Sequence, residues 1–413
     1  MRIAFFVDQF PSLSETFILN QITGLIDRGH EVDIYCDRGG NFAQIHSEVE
    51  EYQLLQHTYY TAIPKNIILR CLKGIILFFF YFFKAPQIVV NSFKFKSRSL
   101  YGDLAEFFKP LYFAIPLLKR PAYDLIHCHY GRNGLKAVLL KDLGVIAGKI
   151  VVAFHGNDIS RYLKIHGDDV YQYLFKRADL LQPISHHWAK KLIALGCKPN
   201  KVEVHHMGID CTKFIPNREL KDSSNILVVS VARLVEKKGL SYGIEAIAKL
   251  LLDRPQLKLR YQIVGDGTLR KKLAHQIERL KITDRVELLG WQEQQQVKSI
   301  ISQADIVLAP SITSQVGDCE GIPVSLMEAM AQAVPVVSTY HSGIPELVED
   351  GVTGYLVKEK HVADLARKLE QLADNSNLRR KMGISGRKRV IEAYNIEFLC
   401  DRLVEIYQEL LDK

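Results

Sequence analysis

Two basic side chains follow an apolar, valine-rich run in the second half of the chain. Arg233 and Lys238 lie in the sequence Val-Ala-Arg-Leu-Val-Glu-Lys-Lys-Gly at residues 231–239, directly after a predicted strand. Both side chains are therefore expected at the carboxyl end of that strand, where together they could hold one diphosphate. A solvated basic loop is the simpler interpretation of Lys-Lys-Gly taken alone, but the position after a strand favours the diphosphate site.

Two carboxylates lie around the start of a predicted helix. The sequence of residues 317–331 is typical of a loop that leads into a helix, with Pro323 at an early helical position. Glu320 then precedes the helix, and Glu328 lies about two turns into it. The free N–H groups of a helix start attract phosphate, and the carboxylates can accept hydrogen bonds from sugar hydroxyls. This pattern suits a sugar nucleotide better than a bare phosphate. The alternative is a surface loop followed by an amphipathic helix.

Other phosphate and metal signatures are absent from the sequence. It contains no G-x-x-x-x-G-K-[ST] motif, and Arg270 replaces the third glycine of a dinucleotide fingerprint. No D-x-D tripeptide offers two acids to a divalent metal, so protein cations and dipoles are expected to neutralise a diphosphate. The net charge of +8 fits a nucleotide, an anionic membrane or nucleic acid, but no basic helix carries a nucleic-acid-binding motif.

These residues need strands to position them, and the chain supplies two series of short Val- and Ile-rich runs. The runs alternate with helical stretches at 3–7, 32–36, 124–128, 150–154 and 180–183, and again at 226–232, 259–264, 286–289, 306–309, 336–338 and 355–357. This rhythm predicts two doubly wound α/β domains with parallel sheets, and ligands bind outside the carboxyl ends of such strands. The polar stretch 217–225 places the predicted boundary near residue 215. We therefore predict domains at 1–214 and 215–390, with a C-terminal helix at 391–413 that packs back on the first domain.

Taken together, the residues resemble the retaining GT-B glycosyltransferases of family 4. Glu320 and Glu328 match the E-x7-E motif of that family, and Arg233 with Lys238 matches its diphosphate-binding pair. His-Gly-Asn-Asp at 155–158 is similar to the family's H-G-x-D, and Ser-Gly-Ile-Pro-Glu-Leu-Val follows at 342–348. The resemblance covers nearly the whole chain. The sequences at 10–18 and 320–323 look most like the colanic-acid and exopolysaccharide branch.

The resemblance implies a fold and a set of site residues. The fold is GT-B, an α/β architecture of two Rossmann-like doubly wound domains that face each other across a cleft, with C-terminal helices. The implied catalytic residues are His155, near the reacting face of the sugar, and Glu320, at a hydroxyl of the donor sugar. The other implied positions are Arg233 and Lys238 for the donor diphosphate, Glu328 for the ribose, Gly321, Ile322 and Val324 beside the donor sugar, Gly265, Gly267, Gly290 and Trp291 around the nucleobase, and Asn157 and Asp158 in the motif of His155. Trp291 has the alternative of belonging to the core.

The chain departs from the family pattern at two places. The loop after the first strand has Ser12, Ser14 and Glu15 where many relatives carry two glycines beside phosphate or acceptor. The serine hydroxyls could replace part of that contact, or Ser12 and Glu15 could form a helix capping box, and we weight the two interpretations equally. The second departure is Ile322-Pro323 in place of Phe-Gly, which leaves the donor sugar open.

The implied activity is transfer of a sugar from a nucleotide-diphosphate donor, UDP- or GDP-linked, to a saccharide acceptor. The resemblance implies retention at the anomeric carbon by front-face substitution, no essential metal and no cofactor. The expected pathway class is bacterial exopolysaccharide, capsule or related cell-surface glycan synthesis. The alternatives are a sugar-nucleotide epimerase or phosphorylase on the same scaffold, or a catalytically idle membrane-bound partner or lectin.

A basic, aromatic region precedes the third predicted strand. Residues 52–102 contain no acidic side chain, while the aromatic run 78–83 is surrounded by the cations Lys65, Arg70, Lys73, Lys84, Lys94, Lys96 and Arg98. Such a region suits the interface of an anionic membrane, where a polyprenyl-diphosphate-linked acceptor would be found. The alternative is that the aromatic residues form the core of the first domain. No signal peptide and no apolar run of spanning length is present, so we expect a cytoplasmic protein, peripheral on the inner face of the cell membrane.

Overall fold

A computed structural model of the chain describes residues 1–13, 15–42, 45–94, 98–118, 120–216 and 225–413. Ser14, Lys96 and most of the predicted boundary stretch lie outside the described residues. The contacts divide the chain into two compact units. Unit 1 comprises Met1–Ile184, Trp188–His205 and Cys400–Lys413, and unit 2 comprises Ser185–His187 and His206–Leu399.

Unit 1 contains a parallel sheet of six strands. The strands are β1 (Arg2–Phe10), β2 (Glu31–Gly39), β3 (Thr58–Tyr60), β4 (Leu125–His129), β5 (Lys149–Phe154) and β6 (Leu180–Pro183). Their spatial order is β3-β2-β1-β4-β5-β6. The chain direction of the crossovers therefore reverses between β1 and β4, which is where a doubly wound sheet opens a crevice at its carboxyl edge. The short edge strand β3 was missed by the sequence analysis.

The helices of the first half lie between these strands. They are α1 (Thr16–Asp27), α2 (Ser47–Glu51), α3 (Ile67–Phe82), α4 (Pro86–Lys94), α5 (Arg98–Tyr101), α6 (Lys109–Ala114), α7 (Gly131–Asp142), α8 (Arg161–His166), α9 (Gln172–Arg177) and α10 (His186–Ala194). Helix α1 buries Ile18, Ile22 and Leu25, spaced by one helical turn, against the apolar side chains of β1 and β2. This packing fixes the loop between β1 and α1 at the carboxyl edge of the sheet.

Unit 2 repeats the same topology. Its strands are β7 (Ile226–Val231), β8 (Leu259–Val264), β9 (Val286–Gly290), β10 (Ile306–Ala309), β11 (Val336–Thr339) and β12 (Gly354–Val357), in the spatial order β12-β11-β10-β7-β8-β9. All neighbouring strands pair in parallel. The crossover direction reverses between β7 and β10, so the crevice of this sheet lies at their carboxyl ends. The predicted α/β class with two parallel, doubly wound sheets is confirmed.

The remaining helices complete unit 2 and end the chain. They are α11 (Leu240–Asp253), α12 (Arg270–Arg279), α13 (Gln294–Gln303), α14 (Val324–Ala331), α15 (Ile344–Leu347), α16 (Val362–Asp374), α17 (Ser376–Ala393) and α18 (Ile396–Leu411). The later part of α18 belongs to unit 1, where Leu403, Ile406 and Tyr407 pack in the same core as α1. The residues just before the predicted boundary at 215 belong to unit 2, because Ile209, Cys211 and Phe214 pack in its core.

Helix α3 carries the predicted aromatic run and leaves most of it in solvent. Phe83, which follows the helix, is 86% exposed and Phe79 is 65% exposed, and of the helix residues only Gly74 is buried. Gly74 lies so close to Phe108 that an added Cβ would stand 2.5 Å from its ring. The alternative prediction that these aromatic residues form the core is therefore wrong for Phe79 and Phe83. The helix packs on the rest of unit 1 with the side that carries Gly74, and these two rings lie elsewhere. Of the helices in the described ranges, none combines the length and the hydrophobicity that a membrane span requires.

Candidate functional site

The loop after β7 brings basic residues to the carboxyl edge of the second sheet. Arg233 is exposed, and within the described ranges its side chain has no hydrogen bond or ion pair. Lys237 and Lys238 lie in a short 3-10 turn that ends at Gly239. Gly239 has φ +62°, and a Cβ at this position would lie 1.8 Å from the carbonyl oxygen of Pro310. Glycine is therefore required where this loop passes the end of β10.

Glu320 is bound by both lysines of that turn. Its Oε2 accepts a hydrogen bond from Lys238 Nζ at 2.9 Å, and its Oε1 lies 3.8 Å from Lys237 Nζ. Lys237 also donates to Asp318 Oδ1 at 3.1 Å and to the carbonyl oxygen of Cys319 at 3.2 Å. Burial alone would raise the pKa of Glu320, but the two lysines lower it below its usual value. The predicted diphosphate-binding lysine and the predicted sugar-binding carboxylate thus form one ion pair.

One oxygen of Glu320 keeps an unused acceptor. The residue is only 6% exposed, and among the described residues no hydrogen bond reaches its Oε1. A buried carboxylate oxygen without a donor costs free energy unless a ligand or water supplies one. A sugar hydroxyl is a donor of the kind that this oxygen lacks.

Helix α14 places Glu328 in its second turn. The helix begins at Val324 and Pro323 is its N-cap, with φ −65° and ψ 122°. The prediction that Pro323 lies inside the helix is therefore wrong by one position, because its ψ is extended. Burial raises the pKa of Glu328 to about 7, so this carboxyl can donate as well as accept a hydrogen bond near neutral pH. Ile322 packs in the core of unit 2, which leaves its backbone as the part that can meet a ligand.

The loops after β8 and β9 lie beside the loop after β7. Gly265 has φ +129°, and a Cβ on it would lie 2.0 Å from the carbonyl oxygen of Ala232. Its N–H donates to the carbonyl oxygen of Gly290 at 2.8 Å. Trp291 follows directly and is 49% exposed, so the alternative that it belongs to the core is wrong. Gly265, Gly290 and Trp291 are therefore brought together at one place, with the indole accessible for stacking.

In unit 1 the corresponding edge is formed by neutral histidines. His155 follows β5, and its Nε2 lies 2.9 Å from Nδ1 of His129 at the end of β4. Burial lowers the pKa of His155 to about 3 and that of His129 well below its usual value. The ring of His155 also packs on Phe17 and Tyr130, with centroids 4.9 and 4.7 Å away. Both imidazoles are uncharged at neutral pH, and one donates to the other.

Asp158 shapes the loop that carries His155. Its carboxylate accepts the N–H groups of His155, Gly156 and Gly131 at 3.0, 2.9 and 3.1 Å. Burial raises the pKa of Asp158 to about 6 against the effect of these hydrogen bonds. The side chain is thus used to hold the loop, while Asn157 next to it is exposed.

The loop between β1 and α1 does not contain the capping box. Helix α1 begins at Thr16 and Glu15 is its N-cap, so Ser12 lies a full turn too early to cap it. The Glu15 carboxylate accepts a hydrogen bond from the hydroxyl of Tyr130 at 2.6 Å instead. This contact joins the loop after β1 to the loop after β4, next to His155.

Several residues at these edges were missed by the sequence analysis. They are Lys237, His129, His341 and Glu359, and each lies at or after the carboxyl end of a strand. Their only signal in the sequence is the position after a predicted strand, which solvated polar residues share. Among the described residues, His186, His206 and Glu346 form a group of possible metal ligands, with ligand atoms within 4.8 Å of one another.

Comparisons with known proteins give one consistent result. The sequence profile described as "Glycosyltransferase Family 4" matches residues 14–213, and the one described as "Glycosyl transferases group 1" matches residues 212–389. A Salmonella typhimurium protein named "Putative colanic acid biosynthesis glycosyltransferase" is 37% identical, covering 99% of this chain and 100% of its own length. An amylovoran biosynthesis glycosyltransferase of Erwinia amylovora is 39% identical with the same coverage.

Solved structures show the same fold. An Anabaena protein crystallised with UDP and glucose superposes with a TM-score of 0.72, at 18% sequence identity, over 99% of this chain and 100% of that one. The relatives that span the whole length are named as glycosyltransferases, so the alternatives of an epimerase, a phosphorylase or an idle partner are not favoured.

Proposed function

Because the chain belongs to the family 4 glycosyltransferases, we propose that it transfers a sugar from a nucleotide-diphosphate donor to a saccharide acceptor in bacterial exopolysaccharide synthesis. Two relatives that match along their whole length, with 37% and 39% identity, are named for the synthesis of such polymers. The structural neighbour with UDP and glucose supports a nucleotide-sugar donor. We propose UDP or GDP as its nucleotide.

The observation that carries the donor assignment is the buried Glu320 carboxylate. One of its oxygens is paired with Lys238 and the other lacks a hydrogen bond among the described residues. The ammonium group of Lys238 has three donors, so it can keep Glu320 and still bind a diphosphate oxygen. We assign the diphosphate to Lys238 and Arg233, and a donor-sugar hydroxyl to Glu320. The cations then lie on the phosphates and the carboxylate on the sugar, which avoids repulsion between like charges.

For the reaction we propose retention by front-face substitution. The bond between the anomeric carbon and the diphosphate oxygen breaks, the acceptor oxygen bonds to the same face, and the leaving diphosphate takes the acceptor proton. Arg233 and Lys238 stabilise the charge that builds on the leaving group, and such contacts act mainly in the transition state. In this proposal the protein cations, rather than a metal ion, neutralise the diphosphate.

His155 is assigned to the reacting face of the donor sugar. Its Nε2 is engaged with His129, so its Nδ1 is the atom that remains for a substrate hydroxyl. The low pKa of about 3 keeps the ring neutral, and a neutral ring does not repel the positive charge that develops on the anomeric carbon. The aromatic contacts with Phe17 and Tyr130 support this ring in one orientation.

We further propose that unit 1 attaches to an anionic membrane through α3 and takes a lipid-linked acceptor there. The helix exposes apolar side chains along most of its length, among them Ile68, Leu72, Ile76, Phe79 and Phe80. Lys65, Arg70, Lys73 and Lys84 accompany them, and residues 52–102 contain no acidic residue. Each cation near an anionic surface contributes about 1 kcal/mol, and buried apolar side chains add to this.

A donor-binding experiment tests the proposed function. Thermal shifts of the full chain would be measured with UDP, GDP and ADP and with UDP-glucose and GDP-mannose. We expect one nucleotide to stabilise the wild type and to lose this effect in Lys238→Ala, while Lys249→Ala on the surface of α11 retains it. A chain that responds to none of these nucleotides, or a Lys238→Ala variant that responds as the wild type does, would contradict the donor assignment.

A flotation experiment tests the membrane proposal. The full chain is expected to float with phosphatidylglycerol vesicles and to stay at the bottom with phosphatidylcholine vesicles. The double variant Phe79→Ser, Phe80→Ser should lose flotation, while Leu252→Ser, which alters a 79% exposed leucine in unit 2, should keep it. Wild-type protein that stays unbound with anionic vesicles would exclude the attachment.

A further inference from the structure

His341 and Glu359 form a hydrogen-bonded chain that ends on Glu320. The backbone N–H of Glu320 donates to His341 Nε2 at 3.0 Å, and His341 Nδ1 lies 2.6 Å from Glu359 Oε1. The imidazole follows β11, the carboxylate follows β12, and the side chain of His341 is only 1% exposed. The sequence motifs identify neither residue, and neither has been assigned a contact with the donor.

The direction of these hydrogen bonds is fixed by their chemistry. A backbone N–H can only donate, so Nε2 of His341 must accept and carry no proton. The neutral ring therefore has its proton on Nδ1 and donates it to Glu359 Oε1. Glu359 thus selects the tautomer of His341 that can hold the peptide N–H of Glu320.

Glu320 is held at its other groups as well. Its carbonyl oxygen accepts from Ser342 Oγ at 2.6 Å, and its carboxylate accepts from Lys238 at 2.9 Å. The second oxygen of Glu359 accepts the N–H of Thr313 at 2.8 Å, near the start of the loop that leads to Glu320. Both ends of this loop are therefore tied to the strand ends of β11 and β12 through Glu359 and His341.

From these contacts we infer that His341 and Glu359 are a positioning pair that orients Glu320 toward the donor sugar. The inference rests on the proposed function, because it needs Glu320 at the donor. The described hydrogen bonds of the pair end on the backbone N–H of Glu320 and on Thr313, and neither Arg233 nor Lys238 is bonded to the pair directly. We therefore expect the pair to act mainly on the sugar end of the donor. Loss of the pair should therefore reduce turnover while binding of the free nucleotide stays as it is.

Two substitutions at His341 separate positioning from folding. His341→Leu keeps the volume but removes the acceptor for the Glu320 N–H, and we expect it to lower kcat by roughly 10- to 100-fold. His341→Gln keeps an amide oxygen that can accept this N–H, and it should recover most of the activity. In both variants the thermal shift given by the nucleotide that stabilises the wild type should be unchanged.

The tautomer of His341 can be tested directly on the wild-type protein. The readout is ¹⁵N NMR of the full chain with labelled histidine, in which His341 is identified by comparison with His341→Gln. We expect the wild-type ring to be protonated on Nδ1 and bare on Nε2. A ring protonated on Nε2, or on both nitrogens at neutral pH, would overturn the inference.

Turnover is measured as release of nucleotide from UDP-glucose and GDP-mannose, with Glu320→Gln as the reference. If Glu320→Gln is inactive while His341→Leu is fully active, the positioning role is wrong and the donor site stands. If Glu320→Gln is as active as the wild type, the proposed role of Glu320 at the donor fails and the inference falls with it.

Discussion

The carboxyl edges of the two sheets have the same strand topology but differ in charge: one carries ionised side chains and the other carries neutral ones. In unit 2 the edge carries Lys237, Lys238 and Glu320 as an ion-paired group, whose lysines keep the glutamate charged despite burial. In unit 1 the edge carries the imidazoles of His129 and His155, which burial keeps uncharged. A doubly wound sheet thus supplies the position of a site, and the loops after its strands decide which charges the site can bind.

Under the proposed function the two edges bind different groups. A diphosphate needs cations that stay charged, whereas a sugar hydroxyl can be bound by a neutral imidazole as well as by a carboxylate. Five changes test this difference between the two edges.

Removal of the charged group in unit 2 should have the largest effect. Lys238→Ala and Glu320→Ala are each expected to lower kcat by roughly 10²–10³-fold, because the leaving charge and the donor sugar lose their partners in the transition state. Steady-state rates with the preferred nucleotide sugar measure this, and circular dichroism checks that the variants are folded. Near-normal rates in folded variants would refute the assigned roles.

A substitution at Gly239, which follows the two lysines, should lower the stability of the fold. Gly239→Ala places a Cβ 1.8 Å from the Pro310 carbonyl oxygen at φ +62°, so the backbone must move and the free energy of unfolding should fall by about 1–3 kcal/mol or more. Gly351→Ala is the matched control, since its φ is +79° and no atom lies within 4 Å of its Cβ. Urea denaturation should show a clearly smaller loss for the control, and equal losses would contradict the steric argument.

The stabilisation that comes from Glu328 should decrease as the pH rises. Its folded pKa of about 7 lies above the usual value of 4.5, so the folded state holds the proton more tightly than the unfolded state. The resulting stabilisation is complete below about pH 4.5 and is lost as the pH rises through 7, by about 1–3 kcal/mol. Glu328→Gln should reduce the change in stability between pH 4.5 and pH 7, whereas Glu392→Gln, at an exposed position of α17, should not.

The stabilisation that comes from His155 should instead increase as the pH rises. Its folded pKa of about 3 lies below the usual value of 6.5, so the unfolded chain binds the proton more tightly. Stability is therefore highest above pH 6.5 and decreases as the pH falls toward 3, by an amount of the same order as for Glu328. The difference between wild type and His155→Gln, measured by urea denaturation from pH 4 to pH 8, should shrink on acidification. A difference independent of pH would mean that the ring is not buried as a neutral group.

The exposed face of α3 should contribute least to stability. The variant Phe79→Ser, Phe80→Ser alters side chains that are in solvent, so the free energy of unfolding should change by no more than about 0.5 kcal/mol per site. Thermal unfolding without vesicles measures this change. A large loss would mean that these rings pack in the folded chain, and it would undo the contrast between this helix and the buried helix α1.

Most of the fold could be predicted from the sequence. Strands buried on both faces read as continuous Val- and Ile-rich runs, so every strand from β4 to β12 and the first two were located within a few residues. The strand β3 was not predicted because its three residues, Thr58–Tyr60, are too few for a periodic signal. The start of α1 was predicted one turn early, because a Ser-x-x-Glu spacing occurs there without the helix that would use it.

Of the candidate site, the sequence determined the residue types and their places after strands. Arg233, Lys238, Glu320 and His155 could be named because strand ends are visible in hydrophobic patterning and because their motifs resemble those of a known family. Their roles toward substrate remain predictions. What could not be named were His129, His341 and Glu359, because isolated polar residues after a strand have no spacing that distinguishes them from solvated ones.

Only the tertiary structure decided how these residues are paired. The ion pair between Lys238 and Glu320 joins residues 82 positions apart, and the chain from Glu320 through His341 to Glu359 joins three loops. Whether α3 is core or surface was also open in the sequence, because an apolar helix reads the same in either place. Local sequence sets strand, helix and residue chemistry through propensity and periodicity, whereas burial, tautomer and pKa depend on neighbours that are distant in the chain and are brought together only by the packing of the parallel strands.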